Sequence, residues 1–191
     1  LDFENFVDRS RFLWQNSFLK IFSSEVKMRI VVAYYSLTGN TRMVAEAIYE
    51  VLPHQKELKP LTEVDSVEDC DLIFIGFPVQ SHSVPYLVEP FLKNLPEGNK
   101  VALFLTHGSL PDTRLSREAL EQAMILAGKT RILGSFACRG KVSPQAMEVL
   151  GKSPEHKLWA EMAVTARTHP DKNDLEDART FARWVLSLAN Q

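Results

Sequence analysis

Short runs in which nearly every residue is apolar alternate along this chain with longer stretches in which apolar residues recur every three or four positions. Asp71-Leu72-Ile73-Phe74-Ile75-Gly76-Phe77 and Lys100-Val101-Ala102-Leu103-Phe104-Leu105-Thr106 are runs of the first kind. Such continuous apolarity suits strands buried on both faces, as in a parallel sheet covered by helices. Strands are predicted over 28–35, 71–77, 100–106 and 131–138, with a short one over 55–58. Between them Met43, Val44, Ala47, Ile48 and Val51 predict a helix over 41–52, closed by Pro53. Leu87, Val88, Phe91 and Leu92 predict a helix over 85–94, and another covers 114–127, stopped by Gly128. An acidic connection spans 63–69. This strand–helix alternation specifies a doubly wound α/β sheet. Beyond the last strand, helical stretches open at Ser143-Pro144 and cover 154–166. The final helix, over 174–189, places Phe181, Trp184, Val185 and Leu188 on one stripe, and Asn173 and Glu176 have capping-box spacing at its start.

The first strand feeds directly into a loop rich in hydroxyls, Ser36-Leu37-Thr38-Gly39-Asn40-Thr41, and then into a helix. A strand–loop–helix unit aims backbone N–H groups and the positive end of the helix dipole at one point, where an anion binds. Ser36, Thr38, Asn40 and Thr41 are candidate side-chain donors, and Gly39 permits a turn that a Cβ would obstruct. The loop holds no lysine. Neutral donors suit a phosphate monoester held permanently as part of a cofactor. The loop lacks the first Gly and the Lys of a P-loop, and the Gly-x-Gly-x-x-Gly fingerprint is absent.

This run resembles the phosphate loop of the flavodoxin family, Ser/Thr-x-Thr-Gly-Asn-Thr, with every motif position filled. The resemblance covers 28–191. It implies a flavodoxin-like five-stranded parallel sheet of order 2-1-3-4-5 with helices on both faces. It implies FMN as cofactor, with its phosphate held by Ser36, Leu37, Thr38, Gly39, Asn40 and Thr41. The isoalloxazine would lie between the 77–84 and 106–113 loops. Pro78, Val79 and Gln80 would pass near the ring by backbone. Phe77 is early for a stacking role. His82 is either a ring neighbour or a solvated loop histidine. In the other loop, Thr106, His107, Gly108 and Ser109 would meet the pyrimidine end, Gly108 and Ser109 being the best candidates. His107 is either a ring contact, a donor to a reduced substrate, or a plain loop histidine. The tyrosine that stacks on the flavin in many flavodoxins has no counterpart in this loop, which leaves one face of the ring more open. The Gly-x-Pro start at Gly76 is closer to flavodoxin-like oxidoreductases than to small shuttle flavodoxins. The 143–168 segment is longer than a minimal flavodoxin needs.

Composition narrows the partners. Of 191 residues, 22 are Lys or Arg and 24 Asp or Glu, a net charge of −2. That balance gives no electrostatic case for nucleic acid or an anionic membrane, and it is weaker acidity than shuttle flavodoxins show. No apolar run approaches a membrane span. Cys70 and Cys138 fit neither a metal spacing nor a disulfide framework, so a reducing, cytoplasmic setting is expected. Cys138 reads as a small buried hydrophobe. Arg139 and Lys141 stand at the sheet's carboxyl edge, either attracting an anionic substrate or nicotinamide cofactor or simply solvated. His156 and His169 read as structural. Residues 1–27 form an extension with ten large apolar residues, among them Phe3, Phe6, Trp14 and Phe22. They are either an amphipathic helix that packs on the domain or on a second subunit, making a homodimer plausible, or upstream sequence foreign to the native protein. The functional expectation is an FMN-binding electron-transfer protein serving a redox partner protein. The alternatives are an NAD(P)H-dependent FMN reductase of quinones or another small-molecule oxidant, and a flavin-free binding module.

Overall fold

The computed structural model describes residues 28–53, 55–110, 114–152 and 157–191. The extension over 1–27, residues 111–113 of the third loop and His156 lie outside the described residues. Five strands, β1 (Ile30–Tyr34), β2 (Lys56–Pro60), β3 (Leu72–Pro78), β4 (Lys100–His107) and β5 (Arg131–Arg139), form one parallel sheet in the order β2-β1-β3-β4-β5. Among the described residues six α-helices follow or join them: α1 (Asn40–Val51), α2 (Glu89–Lys93), α3 (Arg114–Leu126), α4 (Pro144–Gly151), α5 (Lys157–Val164) and α6 (Lys172–Ala189).

The apolar strands divide their side chains between two cores because successive residues point to opposite faces. Ile30, Val32, Leu72, Phe74 and Phe104 meet α1 and α6 through Val44, Ile48, Phe181 and Val185. Val31, Ala33, Ile73, Ile75, Leu103 and Leu105 meet the other face, with Leu92 of α2 and Ala123 of α3. Each fully buried Leu, Ile or Phe contributes about 1.5–3 kcal/mol. Gly76 keeps the pattern intact, because a Cβ there would stand 2.0 Å from the Phe104 ring.

Three element boundaries differ from the expectation. The helix predicted over 85–94 is helical only from Glu89, with Pro90 in its first turn. A proline is tolerated only where its missing N–H would have no intrahelical partner, so Pro90 fixes the start near itself. Strand β2 begins at Lys56 and runs to Pro60, further than 58. It is an edge strand, where charged residues and proline are admissible. Lys56 leaves it to donate to Tyr49 O and Leu52 O at the end of α1, 2.6 and 3.0 Å away. The last helix starts at Lys172, and its capping box is Asp171 with Asp174 in place of the Asn173–Glu176 pair. Asp171 Oδ1 accepts from the amides of Asn173 (2.7 Å) and Asp174 (3.1 Å), while Asp174 Oδ2 accepts from the Asp171 amide (2.7 Å). Of the predicted stripe on this helix, Phe181 and Val185 are buried and Trp184 is half-exposed. Trp184 lies over Gly134 of β5, where a Cβ would stand 2.4 Å from its ring.

Candidate functional site

Strand β1 ends at Tyr34 and α1 begins at Asn40, so the hydroxyl-rich loop is the strand-to-helix turn at the sheet's carboxyl edge. Gly39 is the N-cap of α1 at φ +87°, with no atom within 4 Å of where a Cβ would stand. It therefore serves backbone conformation, and the space beside it is open. The helix has no side-chain cap, so its first amides keep their donors for a ligand.

The four predicted side-chain donors divide. Asn40 Nδ2 donates to Thr38 Oγ1 (2.9 Å) and to Lys141 O (2.8 Å), tying the loop to the chain after β5. Gly140 makes room for it, since a Cβ there would come within 2.9 Å of the Asn40 amide. Thr41 Oγ1 shares a buried hydrogen bond of 2.9 Å with Thr106 Oγ1 at the end of β4. Asn40 and Thr41 thus shape the loop with the very groups the sequence offered to a ligand. The other two remain for one. Thr38 accepts from Asn40, which leaves its own proton to donate, and Ser36 Oγ is buried with no hydrogen-bond partner. A buried hydroxyl left unpaired is costly, and a phosphate oxygen would satisfy it. Leu37 between them is 65% exposed.

The loop after β3 begins in the core: Phe77 is fully buried and is no ring platform. Pro78 ends the strand, and the Val79 amide donates to Thr106 O at 2.8 Å. Gln80 and Ser83 exchange backbone hydrogen bonds of 3.1 and 2.8 Å. Ser81 and His82 form the tip of this tight turn at φ +46° and +66°. Two successive non-glycine residues in left-handed conformation are unusual and are held here by their surroundings. One such restraint is Gln122 of α3, whose Oε1 accepts from Ser83 Oγ (2.7 Å) and the Val84 amide (2.8 Å). His82 itself is exposed at the tip.

The loop after β4 is the more enclosed. Thr106, His107 and Ser109 are all buried, and Ser109 Oγ lies 2.9 Å from His107 Nδ1. His107 therefore braces its own loop from inside. Its carbonyl accepts from the Gly140 amide at 2.9 Å. Arg139, at the end of β5, donates from Nε to Ser109 O (3.2 Å) and from Nη2 to Met162 O (3.3 Å) and Thr165 Oγ1 (2.5 Å). Its guanidinium is thus engaged by the fold, which corrects the reading of Arg139 as a free charge for an anionic substrate. Lys141 is exposed and contributes its backbone, donating its amide to His169 O at 2.8 Å.

Cys138 is buried, and burial, with Asp174, Asp171 and Asp177 next, pushes its thiol far above the ordinary value. A thiol so shielded is not a nucleophile. Cys70 is likewise buried and raised, chiefly by desolvation. His169 Nδ1 pairs with Asp174 Oδ2 at 2.5 Å, a partner five residues away that the sequence reading did not foresee. Ligand atoms of His169, Asp171 and Asp174 fall within 4.8 Å of one another, but their oxygens serve the helix cap. Among the described residues no helix is long and apolar enough to cross a membrane.

A model of the flavodoxin domain family matches residues 31–183. The flavodoxin-like domain-containing protein BilS of Clostridioides difficile (strain CD3) is 30% identical over 175 residues, which cover 85% of this chain and 99% of the relative. BilS of Clostridium symbiosum (strain WAL-14163) is 25% identical over 184 residues, 84% of this chain and 95% of the relative. Among solved structures, oxidised flavodoxin 2 from Bacillus cereus superposes with a TM-score of 0.57 at 19% identity, covering 84% of this chain and 99% of its own. A WrbA-like flavodoxin from Agrobacterium tumefaciens gives 0.57 at 20% identity, covering 86% and 98%. Those two likenesses speak to the fold, and the sheet order of this chain agrees with it. With the family match running from the first strand into the last helix, this chain belongs to the flavodoxin domain family.

Proposed function

We propose that this protein binds FMN and transfers electrons through it. The observation that carries the reading is Ser36: a buried hydroxyl without a partner, in the loop before an uncapped helix whose N-cap Gly39 faces open space. A phosphate placed there would receive Ser36 Oγ, Thr38 Oγ1 and the first amides of α1, with no lysine needed. The 78–82 and 106–109 loops stand at the same carboxyl edge of the sheet, where the switch-point rule places a ligand. When bound, FMN supplies a ring that accepts and releases electrons, and the protein supplies its binding, orientation and electrostatics. Residues of this chain hold the phosphate, orient the ring by backbone donors and exclude water from its buried edge. The His107–Ser109 pair is sealed from solvent and keeps the β4 loop in shape.

Leu37 and Leu110 are 65% and 41% exposed, one on each of two loops at this edge. Exposed apolar residues beside an electron-carrying ring favour a protein partner that docks over it.

The deciding experiment is the visible spectrum of the purified protein before and after addition of FMN and removal of excess. A retained flavin spectrum is expected, with slow reduction by NAD(P)H alone and fast reduction through a separate reductase. Steady turnover of NAD(P)H with a quinone would replace the shuttle by a reductase. A colourless protein that ignores FMN would leave a fold used for binding alone.

A further inference from the structure

We propose that Arg139 is a positioning residue through which α5 and the turn after it, in the added helical segment, set the backbone amides that face the flavin ring. The inference rests on the FMN reading above and concerns the ring end of that site.

Strand β4 lies between β3 and β5. Two carbonyls beyond its end are held on the β5 side: His107 O by the Gly140 amide at 2.9 Å, and Ser109 O by Arg139 Nε at 3.2 Å. A trans peptide is planar, with C=O and the following N–H on opposite sides. Among the described residues the single cis bond is His169-Pro170, so both of these peptides are trans. Holding His107 O toward β5 therefore turns the amide of Gly108 to the β3 side, and holding Ser109 O on the Arg139 guanidinium turns the amide of Leu110 away from that guanidinium and from α5. The β3 side is the one on which the 78–82 loop stands. Amides freed from the fold in this way are donors suited to a carbonyl oxygen or a developing negative charge. The first of the two carbonyls is fixed by backbone alone. The second depends on one side chain.

What holds that side chain is the segment after β5. Arg139 Nη2 donates to Met162 O in α5 and to Thr165 Oγ1 just beyond it, and Thr165 Oγ1 also meets Met162 O at 2.7 Å. The guanidinium fork is planar and rigid, so fixing Nη2 on one side aims Nε on the other. None of the ion pairs among the described residues uses Arg139. Its acceptors are neutral and come from two segments, the β4 loop and the α5 end. A residue whose task was to anchor β5 through an ion pair would show a carboxylate. This one clamps a loop to a helix.

The test uses the full chain and two ligands, FMN and riboflavin, titrated by quenching of flavin fluorescence. Riboflavin carries the ring without the phosphate. Arg139→Gln is expected to weaken both ligands by about the same factor, roughly tenfold, because the lost contact acts on the ring end. Thr165→Val, at an exposed position, is expected to weaken both in the same direction by a smaller factor. Ser36→Ala, on the phosphate side, is expected to weaken FMN alone. Variants Arg139→Gln and Thr165→Val that bind both flavins as the wild type does would overturn the proposal, as would a loss confined to FMN. Should Arg139→Gln not fold, Thr165→Val decides by the same criterion. A wild-type chain that binds neither flavin defeats the FMN reading itself. Unchanged variants in a flavin-binding wild type defeat only the role of Arg139.

Discussion

Thr41 in the first turn of α1 and Thr106 at the end of β4 share a hydroxyl–hydroxyl hydrogen bond of 2.9 Å, both side chains being nearly inaccessible to solvent. The bond joins the turn between β1 and α1 to the end of β4, across β3. Replacing one partner by valine keeps the shape and strands the other hydroxyl, a cost of about 1–3 kcal/mol. Replacing both removes the two polar groups together. Thr41→Val and Thr106→Val are each expected to lower the urea midpoint of the flavin-free protein, and the double variant to recover most of the loss. Additive losses would show that the two hydroxyls contribute independently.

Gly39 and Gly76 are needed for opposite reasons, and alanine at each should fail differently. At Gly39 a Cβ meets nothing, but φ is +87°, so the penalty is backbone conformation, about 1–2 kcal/mol. At Gly76 the backbone is ordinary strand and the Cβ would stand 2.0 Å from the Phe104 ring. Gly76→Ala is therefore an overpacking substitution, costing about 1–3 kcal/mol or more. Adding Phe104→Leu to Gly76→Ala should restore part of the thermal stability, while no core substitution should rescue Gly39→Ala. Thermal unfolding of the two single variants and of each combined with Phe104→Leu checks this, and rescue of Gly39→Ala by Phe104→Leu would contradict the assignment.

The capping box of α6 predicts an acid-side loss of stability. Hydrogen bonds from the amides of Asp174 and Asn173 hold the Asp171 carboxyl below its ordinary value, with His169 and Lys172 adding smaller effects in the same direction. A carboxylate depressed on folding contributes stability that is complete above its unfolded pKa, near 4, and is lost as pH falls through the folded value. Asp171→Asn keeps an N-cap acceptor but cannot titrate. It should reduce the slope of Tm against pH below about pH 4 and change Tm little at pH 7. Asp171→Ala should lower Tm at pH 7 by about 2–4 °C. An Asp171→Asn slope equal to the wild type would remove Asp171 from the acid transition.

The hydroxyl-rich loop was readable because its determinants occupy six consecutive residues, Ser36 to Thr41, between an apolar strand and an amphipathic helix. The buried strands were readable for the same local reason, their period and composition. What could not be read are interactions between distant positions. Asn40 finds its acceptor 101 residues away at Lys141, and Arg139 finds its own 23 to 30 residues away. No local pattern distinguishes an arginine awaiting a substrate from one clamped between two carbonyls. The capping-box shift is another kind of miss. Asp171 and Asp174 have the same spacing as Asn173 and Glu176, so spacing alone does not choose between the two pairs. Pro90 carried a readable signal, since a proline inside a predicted helix marks its first turn.

Ser36 sets stability against binding most directly. Its hydroxyl is buried and unpartnered, so the flavin-free fold bears the cost of desolvating it without a hydrogen bond in return. Ser36→Ala removes that cost. The flavin-free variant should therefore be as stable as the wild type or more so, with Tm raised by up to about 4 °C. On the proposed FMN reading the same substitution deletes a donor to the phosphate, and FMN affinity should fall about tenfold or more. A substitution that merely damaged the loop would lower both quantities together. Opposite signs in the two measurements, a melting curve without flavin and an FMN titration, are what a ligand-reserved hydroxyl requires. A lower Tm in the flavin-free variant would show instead that Ser36 supports the fold, and the anion site would then rest on Thr38 and the amides of α1 alone.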